Sequence, residues 1–436
     1  MTDIPAATAP VPSSTDRPEI KRLMVFFGLV YVAEGMGQIA GMISQPLTYY
    51  LKQVMHWSPV QVTAYLAALT FPWLIKPLYG VVSDFLPVFG SRRKAYLLLA
   101  NGLAALAYFG VTTVSQPSQL VVFLFLTAYG MAISSTVCGA VLVESGQKFR
   151  ASALFVNQQW LWFNIAAIAA SLIGGLLVQK LQPVAALHAA AAMIGFAPLA
   201  VVIVGATLIK DEPRKINVEG FKKTLGGLSQ TFKSPKFWTI VAFLFLYEFN
   251  PGLSTSTPLY YHLTDNLKFP QLYIGILGSI SSMGWIVGGA IYRLFLHKRR
   301  SKTALNVAIA VGVISTLTFL GLEGRVSAAV IFFFSGIATM IAYVAALTLA
   351  ADFCPKESEG FSYAILMSVA NLSMQAGEIA GSYAYEHIFK NQLPPLVWAS
   401  ALSTALAFLV VPVLRLGDKR QGDPALTPAE LTTRAL

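Results

Sequence analysis

The chain has 436 residues, of which 56% are hydrophobic and only 12% are charged, and its formal net charge is +11. A soluble domain carries about 25% charged residues, so this composition excludes an ordinary soluble protein and indicates one embedded in lipid. The basic residues are spread over many short loops, which argues against nucleic-acid binding.

Long apolar runs recur from Val25 to Val413, each close to the roughly 20 residues that a spanning helix needs. They are continuously apolar, without the alternation of barrel strands, so they predict helices. We predict an all-α, polytopic membrane protein with twelve spans, numbered 1 to 12 in chain order: 23–50, 60–82, 95–114, 119–144, 152–179, 184–209, 237–262, 272–296, 303–322, 326–351, 361–388 and 394–415.

The longest polar stretch divides these spans into two six-helix halves. The predicted organisation is a disordered cytoplasmic tail (1–22), a first half (23–209), a cytoplasmic linker (210–236), a second half (237–415) and a second cytoplasmic tail (416–436). The termini and loops on the same side of the membrane as the N-terminus carry 24 Lys and Arg, and the loops on the other side carry five. By the positive-inside rule, both termini are cytoplasmic, and we expect the protein in the inner membrane of the cell.

Span 1 carries Glu34, Gln38, Gly41 and Gln45 at helical spacing, which predicts one polar face. A carboxylate buried there favours proton binding, so Glu34 is a candidate for proton coupling and substrate binding. The alternative is a satisfied hydrogen bond between helices.

Span 2 contains a single cation, Lys76, which costs several kcal/mol in a membrane unless it is paired or hydrated. It could pair with Glu34 or Glu144, or bind a carboxylate of the substrate, and the sequence leaves this open. The span ends in Gly80-x-x-x-Asp84, followed by Arg92 and Arg93. We predict that these four residues act in gating, with Asp84, Arg92 and Arg93 forming a cytoplasmic latch between helices that stabilises the outward-open state.

Span 5 presents Asn157, Trp160 and Asn164 on one stripe. Aromatic rings and amides suit a flat heteroaromatic ligand, although tryptophan also marks membrane interfaces. Span 7 carries Glu248 followed by Pro251, which we expect to bend the helix and to act in gating.

Span 11 places several polar residues on one face, which indicates a cavity wall. They are Ser368, Asn371, Gln375, Glu378 and Ser382. Among them we predict Asn371, Gln375 and Glu378 as substrate-binding residues, together with Gln38 of span 1, Glu248 of span 7 and the three residues of span 5. Glu34, Glu248 and Glu378 are the predicted proton-coupling residues.

The two halves repeat several landmarks in the same order. Pro46-Leu47-Thr48-Tyr49-Tyr50 in span 1 recurs as Pro258-Leu259-Tyr260-Tyr261 in span 7, and each half has a basic loop, Arg92-Arg93-Lys94 and Lys298-Arg299-Arg300. Parallel repeats are typical of transporters whose substrate site lies between the halves near mid-membrane.

Motifs from span 2 to span 11 resemble the folate–biopterin transporter family of the major facilitator superfamily. They are Pro72-Trp73-x-x-Lys76-Pro77-Leu78-Tyr79-Gly80-x-x-Ser83-Asp84, Gly90-x-Arg92-Arg93, Pro258-x-Tyr260-Tyr261, Gly275-x-x-Gly278-Ser279-Ile280, Cys354-Pro355-x-x-x-Glu359-Gly360-x-Ser362-Tyr363-Ala364 and Met367-Ser368-x-x-Asn371. The resemblance implies a substrate-binding acid in the inner half of span 4. This chain departs from that pattern, since it has no aspartate there, and Glu144, one or two turns away, is the candidate substitute.

Enzymatic motifs are missing from the sequence. It has no phosphate-binding loop of the Walker type, no histidines at metal-ligand spacing and no catalytic constellation, so we expect neither an enzyme nor a cofactor or metal. We predict a monomeric secondary transporter that moves a small aromatic or anionic, folate- or pterin-like solute with protons through the lipid bilayer by alternating access. The alternatives are another solute (a muropeptide-like sugar, a siderophore or another organic anion) or a membrane assembly or sensor protein without transport.

Overall fold

The computed structural model describes residues 17–209, 216, 219–222, 226, 232–251, 256–296, 299–352 and 359–414. Cys354, His297, residues 415–436, most of the predicted linker and residues 1–16 lie outside the described residues. In the described part the chain is helical without strands, apart from an isolated bridge between Val88 and Ser91. The predicted all-α class is confirmed.

Each predicted span corresponds to one helix or to two consecutive helices. Three spans contain two helices each: Arg17–Gly37 and Ser44–Gln53 in span 1, Pro59–Leu74 and Lys76–Phe85 in span 2, and Pro235–Glu248 and Thr257–Tyr261 in span 7. Spans 3 to 6 are Lys94–Val111, Pro117–Phe149, Ser152–Lys180 and Pro183–Leu208. Spans 8 to 12 are Gln271–Ile291, Ser301–Thr318, Arg325–Asp352, Glu359–Tyr383 and Leu393–Val410. Among the described residues, nine stretches are long and apolar enough to cross a membrane. Spans 1, 7 and 11 are not among them, and these are the spans that carry Glu34, Glu248 and Glu378.

Local sequence signals set the helix starts. Ser58 and Gln61 form a reciprocal cap, in which the Ser58 backbone N–H donates to Gln61 Oε1 at 2.9 Å and the Gln61 N–H donates to Ser58 Oγ at 3.4 Å. Proline occupies the first turn of several helices, where its missing N–H costs nothing. Between spans 4 and 5, Arg150 adopts a left-handed conformation (φ 52°) that ends the helix.

Span 1 is not the continuous helix predicted from its polar spacing. Its first helix ends at Gly37 and the second begins at Ser44, with turns between them. Gly41 is needed in this break because a Cβ there would clash with the Met36 carbonyl oxygen. The prediction of one polar face from Glu34 to Gln45 is therefore wrong, since helical periodicity stops at the break.

Span 7 is interrupted in the corresponding place. Its first helix ends at Glu248, Pro251 lies in the break, and Ser256 caps the second helix by accepting the Leu259 N–H at 3.4 Å. Span 11 packs directly on this break, because a Cβ at Gly381 would clash with the Pro251 carbonyl oxygen. The repeated prolines Pro46 and Pro258 each lie in the second helix of an interrupted span.

The spans run between two ends of the bundle. We call the end with Arg92, Arg93, Lys148 and Arg299 the basic end, and the end with Lys52, Lys180, Lys268 and Lys390 the opposite end. Buried apolar clusters fill both halves, one of them around Phe27 and Phe155 and another around Phe243 and Ile341. Spans 5 and 8 join the halves so closely that a Cβ on Gly175 would lie 2.9 Å from Gly275 Cα.

Candidate functional site

Three side chains from spans 1, 2 and 4 form a hydrogen-bonded chain inside the first half. Lys76 Nζ donates to Ser135 Oγ at 3.0 Å, and Ser135 Oγ donates to Glu34 Oε1 at 2.9 Å. Glu34 is only 8% exposed. One hydroxyl thus separates a buried carboxylate from an ammonium in the membrane-spanning region, where neither charge is tolerated alone.

Lys76 is held by contacts other than an ion pair. Its ammonium lies 4.8 Å from the centre of the Trp73 ring, and no carboxylate of the described residues is within 4.0 Å of it. The cation–π contact and the Ser135 hydroxyl stabilise the charge only in part. Lys76 therefore keeps the capacity to bind an incoming carboxylate.

Some buried oxygens on the predicted site spans accept no hydrogen bond within the described part of the chain. They include Glu34 Oε2 on span 1, Gln159 Oε1 on span 5 and Gln375 Oε1 on span 11. Buried polar atoms are normally hydrogen-bonded, because an unsatisfied one costs about 1–3 kcal/mol. Each of these buried oxygens thus keeps an unused capacity to accept a hydrogen bond.

An aromatic contact joins the two halves. The ring centres of Trp160 (span 5) and Tyr343 (span 10) are 6.5 Å apart, and those of Tyr343 and Trp285 (span 8) are 6.1 Å apart. The sequence prediction included Trp160 but missed Tyr343, Trp285 and Ser135; their aromatic and hydroxyl groups within apolar spans were the signal.

The two predicted asparagines of span 5 differ in burial. Asn164 is buried and donates to the Trp160 carbonyl oxygen at 2.7 Å, so its amide supports the helix at Trp160. Asn157 is exposed. Of the three predicted residues, Trp160 is the one whose side chain lies in the contact between the halves.

In the second half, Glu248 and Glu378 are half-buried, as are Asn371 and Gln375. Glu248 is the last residue of its helix, next to the break with Pro251. Ser382, at the far end of the span 11 stripe, instead binds Thr63 of span 2 through their hydroxyls at 2.7 Å. Gln38 lies in the break of span 1 and is half-buried.

The predicted latch forms a charged cluster at the basic end. Arg93 Nη2 lies 2.5 Å from Asp84 Oδ1 and 2.8 Å from Glu144 Oε1, and Arg92 also pairs with Glu144. Gly80 packs near Thr136, with ordinary room for a Cβ at 3.8 Å. Glu144 thus balances two arginines, so the alternative that it pairs with Lys76 is wrong: span 4 extends Glu144 to the basic end, away from Ser135.

Hydrogen bonds join the two halves toward the opposite end. Gln45 Nε2 donates to Gln271 Oε1 at 3.0 Å, and Glu386 Oε2 accepts the Val60 N–H at 3.1 Å. Lys52 binds Asp265 and Thr264 and lies 4.3 Å from the centre of the Tyr261 ring. The bundle is closed there by contacts of spans 1 and 2 with spans 7, 8 and 11.

Comparison with known sequences places the chain in a transporter family. The family model described as the BT1 family matches residues 36–415. The chain is 25% identical over 417 residues to a folate-biopterin transporter of Synechocystis, covering 90% of this chain and 82% of the relative. It is 24% identical over 361 residues to folate transporter 2 of Plasmodium falciparum, covering 79% and 76% of the two chains.

Solved structures with the same fold are transporters as well. The nucleoside transporter NupG superposes with a TM-score of 0.69 at 14% identity, covering 91% of this chain and 98% of NupG. The xylose transporter XylE from E. coli gives a TM-score of 0.66 at 13% identity, covering 94% and 99%. The chain therefore belongs to the BT1 family and is a membrane transporter with the major facilitator fold, not an enzyme.

Proposed function

We propose that this member of the BT1 family is a proton-coupled secondary transporter of a folate- or pterin-like solute. It works by alternating access in the inner membrane of the cell, with its basic end in the cytoplasm. The names of the relatives support the solute class. The excess of Lys and Arg at the basic end supports the orientation.

The observation that carries the proposal is the chain Lys76–Ser135–Glu34. Without solute, ionised Glu34 balances Lys76 and the buried site is neutral. When Glu34 takes up a proton, the charge of Lys76 is no longer balanced, and a carboxylate of the solute can restore neutrality. Because buried net charge is costly, proton and anionic solute bind together, which couples their movement.

Glu248 and Glu378 are further proposed sites of proton binding in the second half. Both are half-buried in spans that are less apolar or shorter than their neighbours. Glu248 also borders the break at Pro251, so protonation there would act at the point where the span changes direction. Asn371 and Gln375 supply polar groups from span 11 to the same solute.

The bonds at the opposite end support a state closed on the side away from the cytoplasm. Lys52, Gln45 and Thr63 of the first half each contact a partner in the second half. We propose that these contacts break when the two halves rock against each other. The cluster of Asp84, Arg92, Arg93 and Glu144 would keep the helices of the first half together at the basic end during this motion.

The test is uptake of labelled folic acid by proteoliposomes, with and without an inward proton gradient. We expect the gradient to drive accumulation in the wild type. Glu34→Gln should abolish the effect of the gradient while the protein remains folded, because the amide cannot take up a proton. Glu323→Gln is the matched control, since Glu323 is an exposed acid in a loop at the opposite end.

Unchanged dependence on the gradient in Glu34→Gln would contradict the role of Glu34. If folded, oriented wild-type protein does not take up folic acid or biopterin at all, the solute lies outside the folates. Binding without accumulation would instead favour a sensor or assembly protein.

A further inference from the structure

We infer that Trp160, Trp285 and Tyr343 form a binding site for the planar ring of the solute, shared between the two halves. This inference rests on the proposed function, because it specifies how the transported solute is held. The second half contributes two of the aromatic side chains, Trp285 and Tyr343. The aromatic group binds the ring of the solute, and Lys76 binds its carboxylate.

The geometry is that of a loose aromatic group. The planes of Trp160 and Tyr343 are inclined by 76°, and those of Trp285 and Tyr343 by 35°. Both centre distances lie in the favourable range of about 4.5–7 Å. Among ring contacts of the described residues, the contact of Trp160 with Tyr343 is the one that joins a span of the first half to a span of the second.

The three rings keep accessible surface. Each is half-buried, whereas Tyr31, Tyr50 and Tyr108 are almost completely enclosed. Aromatic side chains that only pack helices together gain most from full burial. Rings that meet across the halves while remaining partly open offer faces on which a flat ligand can stack.

The surroundings of the rings fit a heterocycle with N–H donors. Span 1 packs on span 5 next to Glu34, because a Cβ at Gly35 would lie 2.7 Å from the carbonyl oxygen of Phe163, whose ring contacts Trp160 at 5.9 Å. Glu34 Oε2 is a buried acceptor that lacks a partner in the described structure. Lys76 is connected to Glu34 through Ser135. A solute whose ring stacks on the aromatic group can thus donate to Glu34 and direct a carboxylate toward Lys76.

This arrangement predicts two separable contributions to binding, which folic acid and biopterin distinguish. Both contain the pterin ring, but biopterin has no carboxylate. Trp285→Leu and Tyr343→Leu should weaken both ligands by a similar factor, about tenfold, because a stacking contact is lost. Lys76→Gln should weaken folic acid by a clearly larger factor than biopterin, because only folic acid has a carboxylate that the ammonium can bind. The measurement is calorimetric titration of the purified full-length protein.

Two sets of variants make the test specific to stacking. Trp285→Phe and Tyr343→Phe keep an aromatic ring and should largely restore binding. Trp398→Leu is the control, because Trp398 is 59% exposed in span 12 and lies outside the aromatic group. If the leucine variants do not fold, quenching of tryptophan fluorescence by bound biopterin should fall in Trp285→Phe and not in Trp398→Phe.

Unchanged affinity of Trp285→Leu and Tyr343→Leu for both ligands would overturn the site. Equal quenching of tryptophan fluorescence by biopterin in Trp285→Phe and Trp398→Phe would overturn it as well. If the wild type binds neither folic acid nor biopterin, the proposed solute class fails and adenosine becomes the probe for a planar ring. Adenosine binding that Trp285→Leu weakens would support the site without the folate assignment. No binding of adenosine would overturn the site as well.

Discussion

At the scale of single residues, the most consequential group is a hydroxyl. Ser135 Oγ accepts from Lys76 and donates to Glu34, so one serine orders two charges that do not touch. Hydrogen bonds to charged groups are worth about 1.5–3 kcal/mol, more than those between neutral groups. Ser135 therefore positions the charges from which we derive coupling.

We predict that Ser135→Ala lowers proton-driven uptake by about tenfold or more, because Lys76 and Glu34 lose their connection. Ser135→Thr keeps the hydroxyl and should retain most of the activity. The measurement is the initial rate of uptake as a function of external pH. A rate and pH profile in Ser135→Ala equal to those of the wild type would show that the bridge has no role in coupling.

At the scale of elements, spans 1 and 7 are interrupted in the same way. Each break frees a carbonyl that a hydroxyl from a neighbouring span satisfies: Tyr108 donates to Gly37 O at 2.5 Å, and Ser403 donates to Phe249 O at 2.7 Å. Irregular backbone at membrane depth needs such internal partners. Glu34 and Glu248 lie at these breaks, where helix ends leave room for polar side chains.

We predict that Gly381→Ala destabilises the protein by about 1–3 kcal/mol, because span 11 packs on the break of span 7 without space for a methyl group. The measurement is the melting temperature of the purified protein. Gly102→Ala is the matched control in a helix, since its Cβ would meet Val202 at a comfortable 4.0 Å. Equal melting temperatures of the two variants would contradict the close contact.

At the scale of the whole molecule, the two halves meet through small and polar residues. Gly175 and Gly275 bring spans 5 and 8 into backbone contact, and Thr63 and Ser382 pair across spans 2 and 11. Small residues allow close approach without large interlocking side chains. Such an interface is suited to separation, which alternating access requires of the opposite end.

We predict that a disulfide between Thr63→Cys and Ser382→Cys stops uptake by locking the opposite end. The two native hydroxyl oxygens are 2.7 Å apart, so the cysteine sulfurs are within bonding reach. The background carries Cys138→Ala and Cys354→Ala. Oxidation should abolish uptake of folic acid and a reducing agent should restore it, whereas Thr63→Cys alone should be unaffected; full activity of the cross-linked protein would contradict the motion.

The sequence by itself determined the fold class, the positions of the spans and the acids worth testing. Continuous apolar runs must be helices in a bilayer, and a charge within them must have a function or a partner. Composition and periodicity were therefore sufficient to select Glu34, Lys76, Glu248 and Glu378 as candidates, and their roles stay predictions. The break at Pro251 was likewise visible, because proline lacks the N–H that continues a helix.

Only the tertiary structure decided which of these residues meet. Periodicity assumes an unbroken helix, so it could not reveal the break after Gly37 that separates Gln45 from Glu34. Partners from distant spans were also invisible: Glu144 is bound by Arg92 and Arg93, and Ser135 takes the place beside Lys76. The aromatic group of Trp160, Trp285 and Tyr343 exists only through the docking of the two halves, because its rings come from three spans that no local pattern connects.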